Sequence, residues 1–334
     1  MWIIVTPSRG MYSDIVERLI THGASLLTVS DSSAEQASKK ISGKLEIILQ
    51  MLNPKLFGLR KAWTEQDSLF VIGWHVIPIL LLIKMGWLPK PKFLVSLGCF
   101  VHSQKVRQII NAIFRRTKFP GLRFVAFSQR ELKSLVEGAG VPESSVLFHL
   151  WRQDLNGRPD PEEIQAGDYI FSGGYSNRDY ELLVSVLKET GIPAVIVASK
   201  MNNIPDVTGS DIRVYRELGE AEFEKLLAKS RLVVLPLKES GEACGQSVLL
   251  RVLRNHKPLV ITRHESVEGY LGTGYPGFVQ PSNSAELAAT IQQAYSSDGA
   301  FLKVLRTHVR QSQEKLSATP HPGDEVYEWI SGLA

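Results

Sequence analysis

Short apolar runs alternate with helix-like stretches along most of the chain, and this pattern limits the possible folds more than any other feature. Runs such as WIIVT (2–6), SLFVIGW (68–74) and KFLVSL (92–97) are continuously apolar and do not alternate with polar residues. Strands of this kind are buried on both faces, as in a parallel sheet covered by helices. Two neighbouring parallel strands must be joined by a crossover connection, and the helix-like stretches between the apolar runs can supply it. The sequence therefore predicts an α/β fold.

A polar stretch over residues 153–168 interrupts the alternation once. It is rich in Gly, Pro and acidic residues, and the alternation restarts after it with DYIFSGG. Such composition is typical of a linker between domains. We predict two Rossmann-like domains with doubly wound parallel sheets that face a cleft, at residues 1–158 and 159–315. Residues 316–334 would form a tail or a helix.

The two predicted domains carry opposite net charges. Residues 1–158 hold 21 basic and 11 acidic side chains (21 − 11 = +10), and residues 159–334 hold 17 and 23 (17 − 23 = −6). No acidic residue lies between Asp67 and Glu131, an interval that contains ten basic residues. A change of sign between halves indicates domains with different partners.

Composition excludes several classes of protein. With 44% hydrophobic and 22% charged residues, the chain is globular and not disordered. Cys99 and Cys244 cannot build a disulfide framework and lack metal-site spacing, so we expect no metal and a reducing, cytoplasmic compartment. The most apolar run, 76–88, is too short to span a bilayer. The first residues lack the order of a signal peptide, and none is expected.

Two turns carry residue types that suit a phosphate group. In FSGGYSNRDY, Gly173 and Gly174 follow a strand and precede a helix, so backbone N–H groups can approach an anion closely. Arg178 could add a charge-assisted contact. In the second turn, Gly245 opens a helix, and Gln246 and Ser247 add side-chain donors. Each turn taken alone is also typical of an ordinary strand-to-helix connection, which is the alternative.

Together these turns resemble the donor-binding domain of GT-B glycosyltransferases, specifically the retaining family 4. The stretch GQSVLLRVLRNHKPLVIT resembles that family's Gly-Gln turn, helix and Lys-Pro strand at Gly245, Gln246, Leu249, Leu250, Lys257 and Pro258. The first half is similar more loosely, at Ser128, Glu131, Pro142 and Asp154. The resemblance implies a GT-B fold whose C-terminal helix crosses back to the first domain.

The resemblance also implies an activity, namely transfer of a sugar from a nucleotide-sugar donor in the second domain to an acceptor in the first. The transfer would retain configuration and need no metal or cofactor, since the nucleotide sugar is a substrate. The acceptor would be a glycan or a lipid-linked molecule. The implied donor-binding residues are Gly173, Gly174, Arg178, Glu242, Gly245, Gln246, Ser247 and Arg251. His102 is implied as the catalytic residue facing the sugar, and Arg9 and Gly10 as an acceptor-side loop.

Departures from the family pattern leave other functions open. The family's ribose-binding Glu falls on Arg251, and its partner Glu falls on Ala243, with Glu242 adjacent. A guanidinium cannot accept hydrogen bonds from ribose hydroxyls. The alternatives are therefore a GT-B scaffold that binds or regulates without catalysis, and a nucleotide-sugar epimerase.

The basic interval contains a predicted amphipathic helix over residues 104–116. Its apolar side chains share one face, with bases around the rest. Bases beside an apolar stripe can lie on an anionic membrane, here the inner face of the membrane. The predicted membrane-facing residues are Lys105, Arg107, Arg115, Arg116 and Lys118. The alternative is a core-facing helix with a solvated basic face. Nucleic acid is not expected as a partner, because no recognised motif accompanies the charge.

Overall fold

The computed structural model describes residues 1–6, 13–28, 59–73, 76–98, 104–152, 167–239, 244–295 and 299–333. The chain divides into two compact units. The first comprises Met1–Trp151 with Pro320–Ala334, and the second comprises Arg152–Thr319. The predicted boundary at residue 158 lies outside the described residues.

The first unit contains a six-stranded parallel sheet in the order β2-β1-β3-β4-β5-β6. Its strands are β1 (Trp2–Thr6), β2 (Ser25–Thr28), β3 (Ser68–Ile72), β4 (Phe93–Leu97), β5 (Leu122–Ala126) and β6 (Val146–Phe148). All residues of β3 are buried. Leu69 and Val71 pack into one apolar cluster, and Phe70 and Ile72 pack into another. Successive side chains point to opposite faces of a strand, so both faces of this sheet are covered, as the apolar runs predicted.

Helices of the first unit are α1 (Ser13–Thr21), α2 (Val76–Lys84), α3 (Gln104–Arg115) and α4 (Gln129–Lys133). A π-helical turn, Ser134–Gly138, continues α4, and short 3₁₀ turns cover Leu59–Lys61 and Glu143–Ser145. The Ser128 hydroxyl accepts a hydrogen bond from the Glu131 N–H at 3.2 Å, and the Glu131 carboxylate accepts one from the Phe127 N–H at 2.8 Å. This reciprocal capping fixes the start of α4.

The second unit contains a six-stranded parallel sheet in the order β12-β11-β10-β7-β8-β9. Its strands are β7 (Ile170–Gly173), β8 (Ala194–Ala198), β9 (Ile212–Arg216), β10 (Leu232–Leu235), β11 (Leu259–Thr262) and β12 (Phe278–Val279). Its helices are α5 (Tyr180–Thr190), α6 (Glu220–Lys229), α7 (Gln246–Arg254), α8 (Glu265–Leu271), α9 (Ser284–Tyr295) and α10 (Ala300–Ser317). Counted within this unit, the strand order is 3-2-1-4-5-6, the doubly wound order of dinucleotide-binding folds.

A last helix, α11 (Pro322–Gly332), packs on α1 of the first unit. The Arg18 guanidinium Nε donates to the Asp324 carboxylate at 2.8 Å, and the imidazole of His22 stacks on the Tyr327 ring at 4.1 Å. Gly323 lies against the Arg18 side chain, where a Cβ would approach to 2.7 Å. The C-terminal helix therefore crosses back, as predicted. Among the described residues, no helix is both long and apolar enough to cross a bilayer.

Candidate functional site

The carboxyl ends of β7 and β10 lie side by side at the point where the strand order of the second unit reverses. Ligands of doubly wound sheets bind at such points. The loop after β7, residues 174–179, is hydrogen-bonded to the segment after β10. The Asp179 N–H donates to the Pro236 carbonyl at 2.9 Å, and the Lys238 N–H donates to the Asn177 carbonyl at 3.1 Å. The first of the two predicted phosphate-binding turns is thus hydrogen-bonded to the segment that leads to the second of these turns.

Two glycines let this loop pack closely. Gly174 has a φ of +130°, which L-residues rarely adopt, and a Cβ there would overlap the guanidinium of Arg178. A Cβ on Gly173 would lie 2.5 Å from Cζ of Phe223. Both positions therefore need glycine for the backbone to approach its neighbours.

Arg178 is a buried cation at the base of this loop, with a residue exposure of 5%. Its Nε donates to the Gly173 carbonyl at 3.0 Å, and its Nη1 donates to the Ser176 carbonyl at 2.8 Å. Burial lowers the pKa of the guanidinium, although an arginine stays charged at neutral pH. In the described part of the chain, no carboxylate pairs with it. Its charge is therefore available to an anion that enters the site.

Tyr180 is hydrogen-bonded to the loop after β7, a role that the sequence analysis did not predict. Its hydroxyl donates to the Gly174 carbonyl at 2.8 Å, and the Val197 carbonyl lies 3.2 Å from the same oxygen. The ring is 1% exposed, and burial raises the pKa of the phenol. Asp179 caps α5, because its carboxylate accepts a hydrogen bond from the Leu182 N–H. The only sign of the Tyr180 contact in the sequence is an aromatic residue directly after this cap.

The amino terminus of α7 lies next to Arg178. Gly245 is its N-cap, with a φ of +85° and no side-chain capping bond. A Cβ on Gly245 would lie 3.1 Å from Cδ1 of Leu237, and Leu237 forms an antiparallel bridge with Arg178. Gln246 is buried, with its amide 3.5 Å from the Tyr270 hydroxyl, whereas Ser247 is exposed. A helix start without a side-chain cap presents N–H groups and a partial positive charge to an anion.

Arg251 lies further along α7, inside a cluster of ion pairs. Its Nη1 is 3.0 Å from Glu224 Oε1, and its Nη2 is 3.0 Å from Glu220 Oε1. Its guanidinium also lies 5.0 Å from the centre of the Phe223 ring. Glu224 is 1% exposed and also accepts hydrogen bonds from Arg254 and Asn255. The cluster joins α6 to α7 and engages the guanidinium of Arg251.

Solved structures with a similar fold include a glycosyltransferase, a UDP-glucose complex and a trehalose-phosphate synthase. HepE from Anabaena, solved with UDP-glucose, is 14% identical over 99% of this chain and 100% of its own, with a TM-score of 0.70. A UDP-forming α,α-trehalose-phosphate synthase from Burkholderia vietnamiensis is 9% identical, covering 99% and 98%, with a TM-score of 0.72. A glycosyltransferase from Rickettsia africae ESF-5 is 14% identical, covering 94% and 93%, with a TM-score of 0.64.

The chain has the GT-B fold. Identities this low establish the fold alone. No protein-family model matches the sequence, and no curated protein matches it.

Of the predicted donor-binding residues, Gly173 and Gly174 lie against Arg178 or its neighbours, and Leu237 lies beside both Arg178 and Gly245. Gln246 and Ser247 follow Gly245 in α7, and their roles stay predictions. Four predicted residues, Arg9, Gly10, His102 and Glu242, lie outside the described residues, and their roles stay predictions. In the first unit, Lys105 and Arg107 lie on the first turn of α3, Arg115 is its last residue, and Arg116 and Lys118 follow it. In the ranges that the structure describes, no three His, Cys, Asp or Glu side chains are grouped as metal ligands.

Proposed function

We propose that this chain is a glycosyltransferase whose second unit binds the diphosphate of a nucleotide-sugar donor at the carboxyl ends of β7 and β10. The observation that carries the proposal is the buried guanidinium of Arg178 beside the uncapped start of α7. HepE was solved with UDP-glucose, and the Burkholderia synthase is UDP-forming. These neighbours make UDP-sugars the first donors to test.

Diphosphate binding and departure would use the same groups. Negative charge grows on the diphosphate as its bond to the sugar breaks, and preorganised donors stabilise that charge. Arg178 would supply a fixed cation, and the first N–H groups of α7 would supply dipoles. The Ser247 hydroxyl is exposed and could add one donor. Gly173 and Gly174 would let the loop backbone pack against Phe223 and Arg178 and so hold the guanidinium in place for the phosphates.

The remaining parts of the reaction follow the family resemblance. The transfer would retain configuration without a metal, and His102 would face the reacting sugar. The acceptor, a glycan or a lipid-linked molecule, would bind to the basic first unit.

The test combines binding with turnover. The purified chain is titrated with UDP, GDP, ADP and dTDP in a thermal-shift assay and then incubated with the corresponding sugar nucleotides. We expect one diphosphate to raise Tm in a concentration-dependent manner, since a ligand that binds only the folded state stabilises it. The matching monophosphate should raise it less. If no diphosphate shifts Tm and none binds by calorimetry, the proposal is wrong.

One observation favours a second candidate, a GT-B scaffold that binds a nucleotide without catalysis. Arg251 stands where the family has its ribose acceptor, and it is engaged by Glu220 and Glu224. A scaffold of this kind would bind a diphosphate but neither hydrolyse nor transfer any sugar. Turnover of any sugar nucleotide by the purified protein would exclude it.

A further inference from the structure

The turn that ends α2 presents two large apolar side chains to solvent. Met85 is 59% exposed and Trp87 is 50% exposed. They stand on either side of Gly86 and follow the last residue of α2 directly. Two exposed apolar side chains so close together form a candidate contact surface.

The turn is held in place by its backbone. Gly86, with a φ of +74°, donates its N–H to the Ile83 carbonyl at 3.0 Å, and Trp87 donates its N–H to the Leu82 carbonyl at 3.0 Å. These two bonds form a Schellman motif, which closes the end of a helix. Leu88, the next residue, is buried. The exposed side chains therefore stand on a fixed turn.

Lys84 precedes this turn directly, and three further exposed bases, Arg115, Arg116 and Lys118, lie at or just after the end of α3. The Lys84 ammonium donates to the Arg116 carbonyl at 3.4 Å, which puts the ends of α2 and α3 beside each other. Arg115 donates to the Gly138 carbonyl, an interaction that leaves its charge uncompensated. In the described part of the chain, no carboxylate pairs with Lys84, Arg115, Arg116 or Lys118. These four bases belong to the interval between Asp67 and Glu131, which contains no acidic residue.

We propose that this surface, formed by Met85 and Trp87 with Lys84, Arg115, Arg116 and Lys118, docks on an anionic lipid bilayer. We call it the basic–apolar face. Tryptophan is favoured at the boundary between lipid and water, and lysine and arginine beside it attract anionic head groups. Both kinds of contact form at once when bases flank apolar side chains. A single-stranded nucleic acid could stack its bases on Trp87 as well, so polyuridylic acid serves as the competing ligand in the test. The proposal does not depend on sugar transfer.

Vesicle flotation of the full-length chain tests this. The vesicles contain phosphatidylcholine alone or phosphatidylcholine with phosphatidylglycerol. We expect flotation only with phosphatidylglycerol. The double variant Met85→Ser/Trp87→Ser should lower the bound fraction about tenfold, because the apolar contact is lost. Arg116→Glu/Lys118→Glu should lower it at least as far at low salt, because both charges are reversed.

Matched controls change the same residue types in the second unit. Met201 is 91% exposed, and Lys225 and Lys303 are exposed. Met201→Ser and Lys225→Glu/Lys303→Glu should leave flotation unchanged, and circular dichroism should show that all variants fold. The proposal is overturned if the wild type does not float with phosphatidylglycerol, or if the serine variant floats equally well. It is also overturned if the controls lose as much binding, or if polyuridylic acid binds in place of vesicles.

Discussion

The guanidinium Nε of Arg178 lies 3.0 Å from the carbonyl oxygen of Gly173, the last residue of β7. The buried guanidinium therefore folds back toward the loop that follows the strand. Backbone carbonyl oxygens there accept some of the hydrogen bonds that the guanidinium can donate. A buried charge without a counter-ion is unfavourable until an anion joins it. We therefore expect the loop after β7 to gain stability if the proposed diphosphate binds beside Arg178.

Gly174→Ala should weaken both the fold and the binding of a nucleoside diphosphate. The new methyl group would overlap the Arg178 guanidinium, and the φ of +130° is strained for alanine. We expect a loss of about 2–3 kcal/mol in the free energy of unfolding, measured in urea. Gly191→Ala is the matched control, because its φ is +68° with nothing within 4 Å of the added Cβ. It should lose about 1 kcal/mol and leave binding intact. Equal effects of the two substitutions on binding would contradict this account of the loop.

Arg251→Glu should destabilise the second unit. Glu224 is buried and would lose a cation 3.0 Å away while gaining a like charge. Breaking a buried pair costs about 3–5 kcal/mol, which equilibrium unfolding in urea would detect. Adding Glu224→Gln should recover much of that loss. Arg213→Glu, on an exposed part of β9, should have little effect. If Arg251→Glu is as stable as the wild type, the ion-pair cluster does not hold α6 to α7.

Lys257→Met should change the pH dependence of stability. Lys257 is 3% exposed, its Nζ donates to the Ala228 carbonyl at 3.0 Å, and burial lowers its pKa to about 8. The unfolded chain holds that proton up to about pH 10.4, so it binds more protons than the native state above pH 8. Wild-type stability should therefore rise with pH across this window, relative to the variant, by about 2–3 kcal/mol. Parallel stability curves from pH 7 to pH 10 would rule out a buried, titrating Lys257.

Asp324→Asn should loosen α11 from the first unit. Burial raises the pKa of Asp324, but hydrogen bonds from His22 and Arg18 outweigh that effect and leave the pKa below its ordinary value. The carboxylate therefore stabilises the docked helix above pH 4, and this stabilisation is lost as the pH falls through the lowered pKa. Because the pair is partly exposed, we expect a loss of about 1 kcal/mol at pH 7.

Hydrogen exchange of the α11 amides measures this effect. Exchange in Asp324→Asn should be faster than in the wild type at pH 7. Once corrected for intrinsic exchange rates, the difference should shrink at acidic pH. Glu328→Gln, at an exposed position of the same helix, is the control and should exchange like the wild type. Identical exchange of the two variants at pH 7 would show that Asp324 does not anchor the helix.

Local pattern was enough to predict most of the elements. The predicted strand 92–97 is β4 at Phe93–Leu97, and the predicted helix 104–116 is α3 at Gln104–Arg115. Continuous apolar runs indicate buried strands without knowledge of their neighbours. The sequence analysis did not predict α8, with seven residues, or β12, with two, because such short elements carry little periodicity.

The site was predicted only in part. Glycines after a strand and before a helix indicate a close backbone approach, so Gly173 and Gly245 stood out in the sequence. Glu224 meets Arg251 only through tertiary packing, since 27 positions separate them in the chain. The role of Tyr180 depends likewise on the carbonyl of Gly174. Contacts of this kind leave no periodic signal in one sequence.

Isothermal titration calorimetry of UDP with the wild type, Arg178→Met and Arg213→Met tests the central claim most directly. Arg213 is an exposed arginine on β9 of the same unit and controls for the loss of one positive charge. We expect the wild type and Arg213→Met to bind UDP equally, and Arg178→Met to bind at least about tenfold more weakly, because one charge-assisted contact is lost. Unchanged affinity in Arg178→Met would contradict the proposed site, and so would a wild type that binds none of UDP, GDP, ADP and dTDP.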